Sequence, residues 1–244
     1  MAKNFRLYTH EELTEKKEVL LSEEQTHYLK NVVRYEVGDT LNCFDNKNGE
    51  FSCQIIEINK KNTRIKVLNK IKDLQKCPDI WLLFAPLKKD KTDFVIEKAT
   101  ELGVSKIIPT ITQFTNTSNI KTERYIAQSI EAAEQCRRTD LPEIASPQNL
   151  ADILSQWDNN RILFFMDETL KSDCFYKQLT TLKQTKSAIL IGPEGGFSEN
   201  ELNLLRQCNF AKGATLGPRI LRAETAVTAA LACWQMIAGD WSKK

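Results

Sequence analysis

The chain is predicted to be an α/β protein with a mainly parallel sheet, preceded by a small β-rich domain. Three observations carry that expectation. From residue 80 onward, compact apolar runs alternate with segments of helical periodicity, the pattern of strands buried between covering helices. Before residue 71 the candidate strands are short and joined by polar turns. Two loops that open on Gly-Pro stand where late strands hand over to helices.

The elements follow in order. "SEEQTHYLKNVV" (22–33) carries a capping box, Ser22 with Gln25, and an apolar stripe of Tyr28, Leu29, Val32 and Val33, which predicts a helix. "TLNCFD" (40–45) and "EFSCQIIEI" (50–58) flank Asn48-Gly49, a hairpin signal. "TRIKVLN" (63–69) adds a third strand, and such a meander suggests a small barrel. The segment "IKDLQKCPD" (71–79) is the natural boundary, so residues 1–73 are expected to form one domain and 74–244 another.

Then "IWLLFA" (80–85) begins the alternating part. "DFVIEKATEL" (93–102) reads as a helix with Phe94, Ile96, Ala99 and Leu102 toward one broad face. "VSKIIPTI" (104–111), "RILFFM" (161–166) and "SAILI" (187–191) read as buried parallel strands, and "ERYIAQSIEAAEQC" (123–136) as a helix. In "FSENEL" (197–202), Ser198 and Glu201 form a second capping box, with Phe197 and Leu202 at the staple positions. A short strand, "GATL" (213–216), leads to the last helix, "AVTAALACWQMIA" (226–238), ended by Gly239.

Composition narrows the function classes. With 34 basic and 32 acidic residues the net charge is +2, which neither demands nor excludes nucleic acid. Seven scattered cysteines without a C-x-x-C pair, and no apolar stretch after the N-terminal charges, read as reduced thiols in a cytoplasmic protein. No run approaches the length of a membrane span. Only His10 and His27 are present, so zinc chemistry and a Ser-His-Asp triad are poor expectations, and no metal is expected.

The stretch "GPEGGFSENEL" (192–202) is the most unusual in the chain. Neither phosphate-binding glycine fingerprint fits it. Glu194 would repel a phosphate a few Å away by roughly 1 kcal/mol in water and more when screened from it. The loop suits a neutral or cationic ligand, and S-adenosylmethionine, with a sulfonium and an ammonium, is one. Read blandly, it is a tight turn. "LGPRILRAETA" (216–226) repeats the scheme, and two such loops at neighbouring strand ends would line one crevice at the carboxyl edge of the sheet. Ile220 and Leu221 would pack an adenine there. Arg222 and Glu224 stand in a stretch of small residues, either in the chemistry or as a solvated charge pair at a helix start.

Together these two loops resemble the signature of the ribosomal RNA small subunit methyltransferase E family. "APLKKDKTDFVIEKATELGVSKIIP" (85–109), "EAAEQCRR" (131–138) and "HYLKNVVRYEVGDTLNCFD" (27–45) support the resemblance, which covers essentially the whole chain. It implies a SPOUT-type enzyme that methylates N3 of a uridine in 16S rRNA, with a PUA-like β-barrel before an α/β domain tied in a C-terminal trefoil knot. It also implies S-adenosylmethionine in the knot, a homodimer, and 16S rRNA within the 30S subunit as partner.

Carried over residue by residue, the cofactor would meet Leu190, Gly192, Glu194, Gly195 and Gly196 from the first loop. Leu216, Gly217, Ile220, Leu221 and Thr225 would come from the second, with Met166 as a further wall. Arg222 would stabilise charge developing on the uracil carbonyls, and Glu224 would orient that arginine or accept the N3 proton. Lys88, Lys89, Lys91, Arg137 and Arg138, with Arg6 and Arg34 in the barrel, would contact RNA phosphates. Two departures stand out: Phe114 and Asn116 where the family commonly has an arginine, and Cys136-Arg137-Arg138 where Ser-Gly-Arg is usual. Methylation of another RNA, at a tRNA or a ribose hydroxyl, and a non-catalytic role in ribosome assembly remain the alternatives.

Overall fold

Alternating side chains and a tight turn set the first sheet. In the computed structural model, which describes residues 5–116, 120–182 and 186–241, β1 (Arg6–Tyr8) and β2 (Glu18–Leu20) precede a short helix α1 (Glu23–His27). The hairpin of β3 (Thr40–Phe44) and β4 (Glu50–Ile58) follows, and β5 (Thr63–Lys72) continues it antiparallel. The order is β1-β3-β4-β5-β2, with β1 parallel to β3. Among the described residues β1 and β2 are not paired to each other, but Leu7 of β1 and Val19 of β2 share one core. Cys43, Cys53, Ile55, Ile65 and Val67 alternate inward and share one core with Leu29 and Leu41. Gly49 is required at the hairpin: its φ is +98°, and a Cβ there would lie 2.2 Å from the Lys72 carbonyl oxygen.

The predicted helix over 22–33 is shorter than expected. Ser22 and Gln25 make the capping box, but after His27 the backbone widens into a π-helical turn, Tyr28–Val33, ended by Arg34 in the left-handed region. The wider turn breaks the 3.6-residue register. Of the stripe only Leu29 is buried, while Tyr28 and Val32 are 44% and 59% exposed.

Compactness groups the residues up to Lys76 with Ala133–Leu141, and Cys77–Ala132 with everything from Pro142 onward. The return of 133–141 has a visible cause. The buried Arg6 guanidinium donates to the carbonyls of Ala133 (2.8 Å), Glu134 (3.0 Å) and Arg138 (3.0 Å) and to Glu50 Oε2 (2.9 Å). Arg138, equally buried, donates to Asp140 at 2.7 Å. A buried cation must be paired this way or its desolvation is uncompensated. This corrects the expectation that Arg6 and Arg138 meet RNA phosphates: their charge is spent inside the fold.

The second unit is built on a sheet in which every pairing is parallel, ordered β12-β10-β11-β6-β7-β8 with β9 also on β7. Its elements run β6 (Ile80–Phe84), α2 (Lys89–Glu101), β7 (Lys106–Ile111), α3 (Thr122–Cys136), β8 (Glu143–Ile144), β9 (Gln148–Asn149), α4 (Leu150–Ser155) and β10 (Ile162–Met166). Then come α5 (Phe175–Thr180), β11 (Ser187–Ile191), α6 (Glu199–Gln207), β12 (Ala211–Ala214) and α7 (Ala223–Ile237). Every residue of β11 is buried. Ile189 and Ile191 join Val95, Ala99, Val227 and Trp234 of α2 and α7 on one face, and Ala188 and Leu190 join Leu202 and Leu205 of α6 on the other. α2 buries Thr92, Val95, Ile96 and Ala99, an i, i+3, i+4, i+7 face. Phe94, expected on that face, is 40% exposed instead. No described helix is long and apolar enough to cross a membrane.

Candidate active site

Three strands end side by side at the carboxyl edge of the parallel sheet, where open α/β folds bind ligands. The loops after β11 and β12 were expected at neighbouring strands, but β10 lies between the two. The end of β10 therefore forms part of the wall. A cavity of about 420 Å³ is lined by Met166 at the end of β10, by Asp167 and Glu168 just after it, and by Gly192 through Gly196 after β11. Leu216, Arg219, Ile220, Leu221 and Arg222 line it from the second loop, and Ala223 and Ala226 from the start of α7.

The first loop is held from several sides. Gly196 has φ +72° and donates to the Pro193 carbonyl at 2.9 Å, closing the turn. The next backbone N–H, that of Phe197, donates to Glu168 Oε1 at 2.9 Å. A Cβ on Gly196 would lie 2.2 Å from that same oxygen, so the acid and the glycine fit each other. Gly195 rests on Phe114, where a Cβ would sit 3.2 Å from the Phe114 Cβ. Ser198 and Glu201 form the predicted capping box at the start of α6, and Glu201 also accepts the Gln113 N–H at 2.8 Å.

Glu194 pairs with Lys91 of α2. The hydrogen bond from Lys91 and its charge hold the Glu194 carboxyl below the usual range, and Lys88 and Arg222 act in the same direction. Asp167, buried at the end of β10, accepts from Ser172 Oγ and Thr169 Oγ1, both at 2.6 Å.

The second loop is bare by comparison. Gly217 has φ +109° with no heavy atom within 4 Å of where a Cβ would stand. Ile220 is 75% exposed. Arg222 is the N-cap residue of α7, but its exposed side chain makes no capping bond. Glu224, in the first turn of α7, buries one carboxylate oxygen with no hydrogen-bond partner.

Of the residues expected at a cofactor, Met166, Gly192, Glu194, Gly195, Gly196, Leu216, Ile220 and Leu221 line the cavity, as does Arg222. Leu190 does not: strand alternation turns its side chain to the other face of β11, among Leu83 and Phe165. Gly217 shapes the turn behind the wall, and Thr225 is exposed on α7 away from it. Nor does Glu224 reach the wall, and no ion pair joins it to Arg222 among the described residues. Asp167 and Glu168 were missed. The signal was "FFMDET" (164–169), a buried strand that ends abruptly in two acids at the ligand-binding edge.

The expected RNA contacts are dispersed. Lys88 and Lys89 are exposed where α2 begins, and Lys91 is engaged by Glu194. Arg34 and Arg137 are exposed at left-handed positions, φ 59° and 61°. Phe114 is 41% exposed beside Gly195, and Asn116 is exposed near it.

The wall suits S-adenosylmethionine in chemistry and size. Its volume lies within the range of about 300–1,000 Å³ usual for small-molecule sites. Met166, Ile191, Leu216, Ile220 and Leu221 offer an apolar surface for a nucleobase, while Asp167 and Glu168 place negative charge beside it for a sulfonium or ammonium.

Comparison with known proteins agrees with this geometry. The model of an RNA methyltransferase domain matches residues 75–235, and that of an RNA methyltransferase PUA domain matches residues 21–68. The chain is 35% identical over 228 residues to ribosomal RNA small subunit methyltransferase E of Rickettsia conorii, covering 93% of each chain. A methyltransferase of Legionella pneumophila solved with bound S-adenosylmethionine superposes with a TM-score of 0.89 at 28% identity, over 98% of this chain and 99% of that one. Ribosomal RNA small subunit methyltransferase E of Neisseria gonorrhoeae, also bound to S-adenosylmethionine, gives 0.87 at 26% identity over the same shares.

Proposed function

The chain belongs to the ribosomal RNA small subunit methyltransferase E family, whose chemistry is S-adenosylmethionine-dependent methylation of 16S rRNA, and from that premise we propose that its target atom is N3 of a uridine. The observation that carries this reading is the cavity itself, a mixed apolar and acidic wall that includes Arg222, which is in no ion pair among the described residues. When bound, S-adenosylmethionine supplies an electrophilic methyl on a sulfonium.

The chain's own residues supply position and charge. Apolar Leu216, Ile220 and Leu221 hold one end of the cofactor, and Glu168 with Asp167 sets the sign of the field beside it. N3 lies on the pairing edge of uracil, so the base enters unpaired or flipped. As the N3 proton leaves, negative charge grows on the flanking carbonyl oxygens. Arg222, on the wall and without an ion pair or side-chain hydrogen bond among the described residues, is placed to stabilise it. Glu224, whose buried oxygen has no hydrogen-bond partner among the described residues, does not line the cavity, so it would take that proton only through a bridging water. A role for Glu224 in orienting Arg222 has no contact to support it.

The same reading makes the segments around the two loops a trefoil knot and the protein a cytoplasmic homodimer. Its PUA-like unit grips 16S rRNA in the 30S particle, with Lys88, Lys89, Arg34 and Arg137 at phosphates. The test is transfer from labelled S-adenosylmethionine to unmodified 16S rRNA, naked and in 30S particles, with the product nucleoside identified by mass spectrometry. N3-methyluridine is the expected product. Arg222→Ala should lower turnover about 10²- to 10³-fold, the usual cost of one donor to a developing oxyanion, with cofactor affinity nearly unchanged. Transfer to another atom, or an active Arg222→Ala variant, would overturn the assignment.

A further inference from the structure

Glu194 is an odd residue to find on the rim of this cavity. It lines the wall, yet its carboxylate is half exposed and turns to Lys91 of α2. An ion pair this exposed contributes little to stability, so structural need does not account for it. Arg222 lines the same cavity from the start of α7. Lys88, one turn before Lys91, and Arg222 both act electrostatically on the Glu194 carboxyl. Lys91 thus pairs with a carboxylate carried on a glycine-rich loop, Arg222 lines the same cavity from a second helix start, and Lys88 stands one turn before Lys91.

We propose that this rim is a subsite for one phosphodiester of the RNA substrate, formed by Lys88, Lys91 and Arg222, and that the Glu194 carboxylate occupies it until RNA arrives. The inference rests on the RNA methyltransferase reading above. Lys88, Lys91, Arg222 and Arg219 outnumber Glu194, Asp167 and Glu168 by one charge, and the two other acids are held in hydrogen bonds on the β10 side. A phosphodiester, not tethered to the loop, can place its two anionic oxygens on two cations, whereas the Glu194 carboxylate is bonded to Lys91 alone among the described residues. Glu194 therefore imitates the ligand weakly and yields to it. Because Glu194 belongs to the loop that walls the cavity, its displacement frees that loop from α2 as the nucleotide enters. RNA arrival is in this way coupled to the shape of the cofactor site. A resident acid also lowers affinity for stray anions, which is a specificity device.

The experiment is binding of unmodified 16S rRNA across a salt series by wild type, Glu194→Gln, Lys91→Ala and the double variant, with methyl transfer by wild type as control. Glu194→Gln should bind RNA about three- to tenfold more tightly, and its salt dependence should steepen by roughly one counterion. Lys91→Ala should bind more weakly, and adding Glu194→Gln to it should recover little, because the acid acts through that lysine. Unchanged or weaker RNA binding by Glu194→Gln would overturn the proposal. So would a Lys91→Ala variant that loses S-adenosylmethionine affinity by calorimetry while keeping RNA affinity, which would give the cations to the cofactor's own carboxylate. If wild type methylates 16S rRNA and Glu194→Gln changes nothing, the subsite alone fails. If wild type neither binds nor methylates it, the functional reading fails with it.

Discussion

The two loops that wall the cavity begin alike, with Gly-Pro after a strand, and are built in opposite ways. The loop after β11 is clasped by Glu168 at Phe197, backed by Phe114 at Gly195 and paired through Glu194 to Lys91. By contrast, the loop after β12 has open space at Gly217, a largely exposed Ile220 and an arginine without an ion pair among the described residues. Groups left exposed at a site wait for something to cover them. The difference teaches that the first loop is pre-formed, and on the proposed reading the second is completed by what binds. Preorganisation on one side lowers the ordering cost of binding, and looseness on the other admits a large substrate.

The sharpest way to break the comparison is to add the same methyl group to a glycine in each loop. Gly196→Ala meets two obstacles, a left-handed φ of +72° and the Glu168 oxygen at 2.2 Å. The backbone strain alone costs about 1–2 kcal/mol. Losing the charged hydrogen bond to Phe197 adds about 1.5–3 kcal/mol. A fall of about 3–4 kcal/mol in denaturant stability is expected, with cofactor affinity lost alongside. Gly217→Ala has only its φ of +109° against it, since nothing lies within 4 Å. It should cost about 1–2 kcal/mol and keep most of its cofactor affinity. Equal losses at the two positions would show that the loops are not different in kind.

Glu168 sharpens the same contrast with a smaller effect. Glu168→Ala removes the clasp on Phe197 and leaves the first loop nearly as bare as the second. About a tenfold loss of S-adenosylmethionine affinity is expected by calorimetry, near the 1.4 kcal/mol that such a factor represents. Glu168→Gln keeps an oxygen to accept the Phe197 N–H and should recover most of it. If glutamine is as poor as alanine, the negative charge beside the cofactor matters more than the clasp.

How much of this was legible beforehand depended on which physics each element obeys. Local rules wrote themselves into the sequence. Both capping boxes, the Asn48-Gly49 hairpin and the buried strand "SAILI" appear as read, because each depends on residues within one turn or one strand. Most of the cavity wall was also readable, since both loops carry their glycines where a close approach needs them. What escaped was set by neighbours distant in sequence. That β10 lies between β11 and β12 follows from topology, and with it came Asp167 and Glu168 as wall residues. Strand parity hid Leu190 on the far face. Arg6 and Arg138 look like surface cations in the sequence, and only their carbonyl and carboxylate partners show otherwise.

Asp167 allows the most delicate test, because it underlies the braced side of the cavity without touching the loop. Burial works to raise its pKa, but hydrogen bonds from Ser172 and Thr169 outweigh that effect, helped by the charge of Arg206, and the net direction is downward. A carboxyl whose folded pKa is depressed contributes stability above its unfolded value, about 3.9 for aspartate, and that contribution is lost as pH falls through the folded value. Asp167→Asn keeps the shape and most of the hydrogen bonds but has no proton to gain. Wild type should therefore melt above the variant at pH 6, and the gap in Tm should narrow steadily as pH is lowered from 5 toward 3. Thermal unfolding of both proteins across that range checks it. A gap that stays constant with pH would mean that the Asp167 charge does not brace β10, and that the pre-formed side of the cavity relies on Glu168 and packing alone.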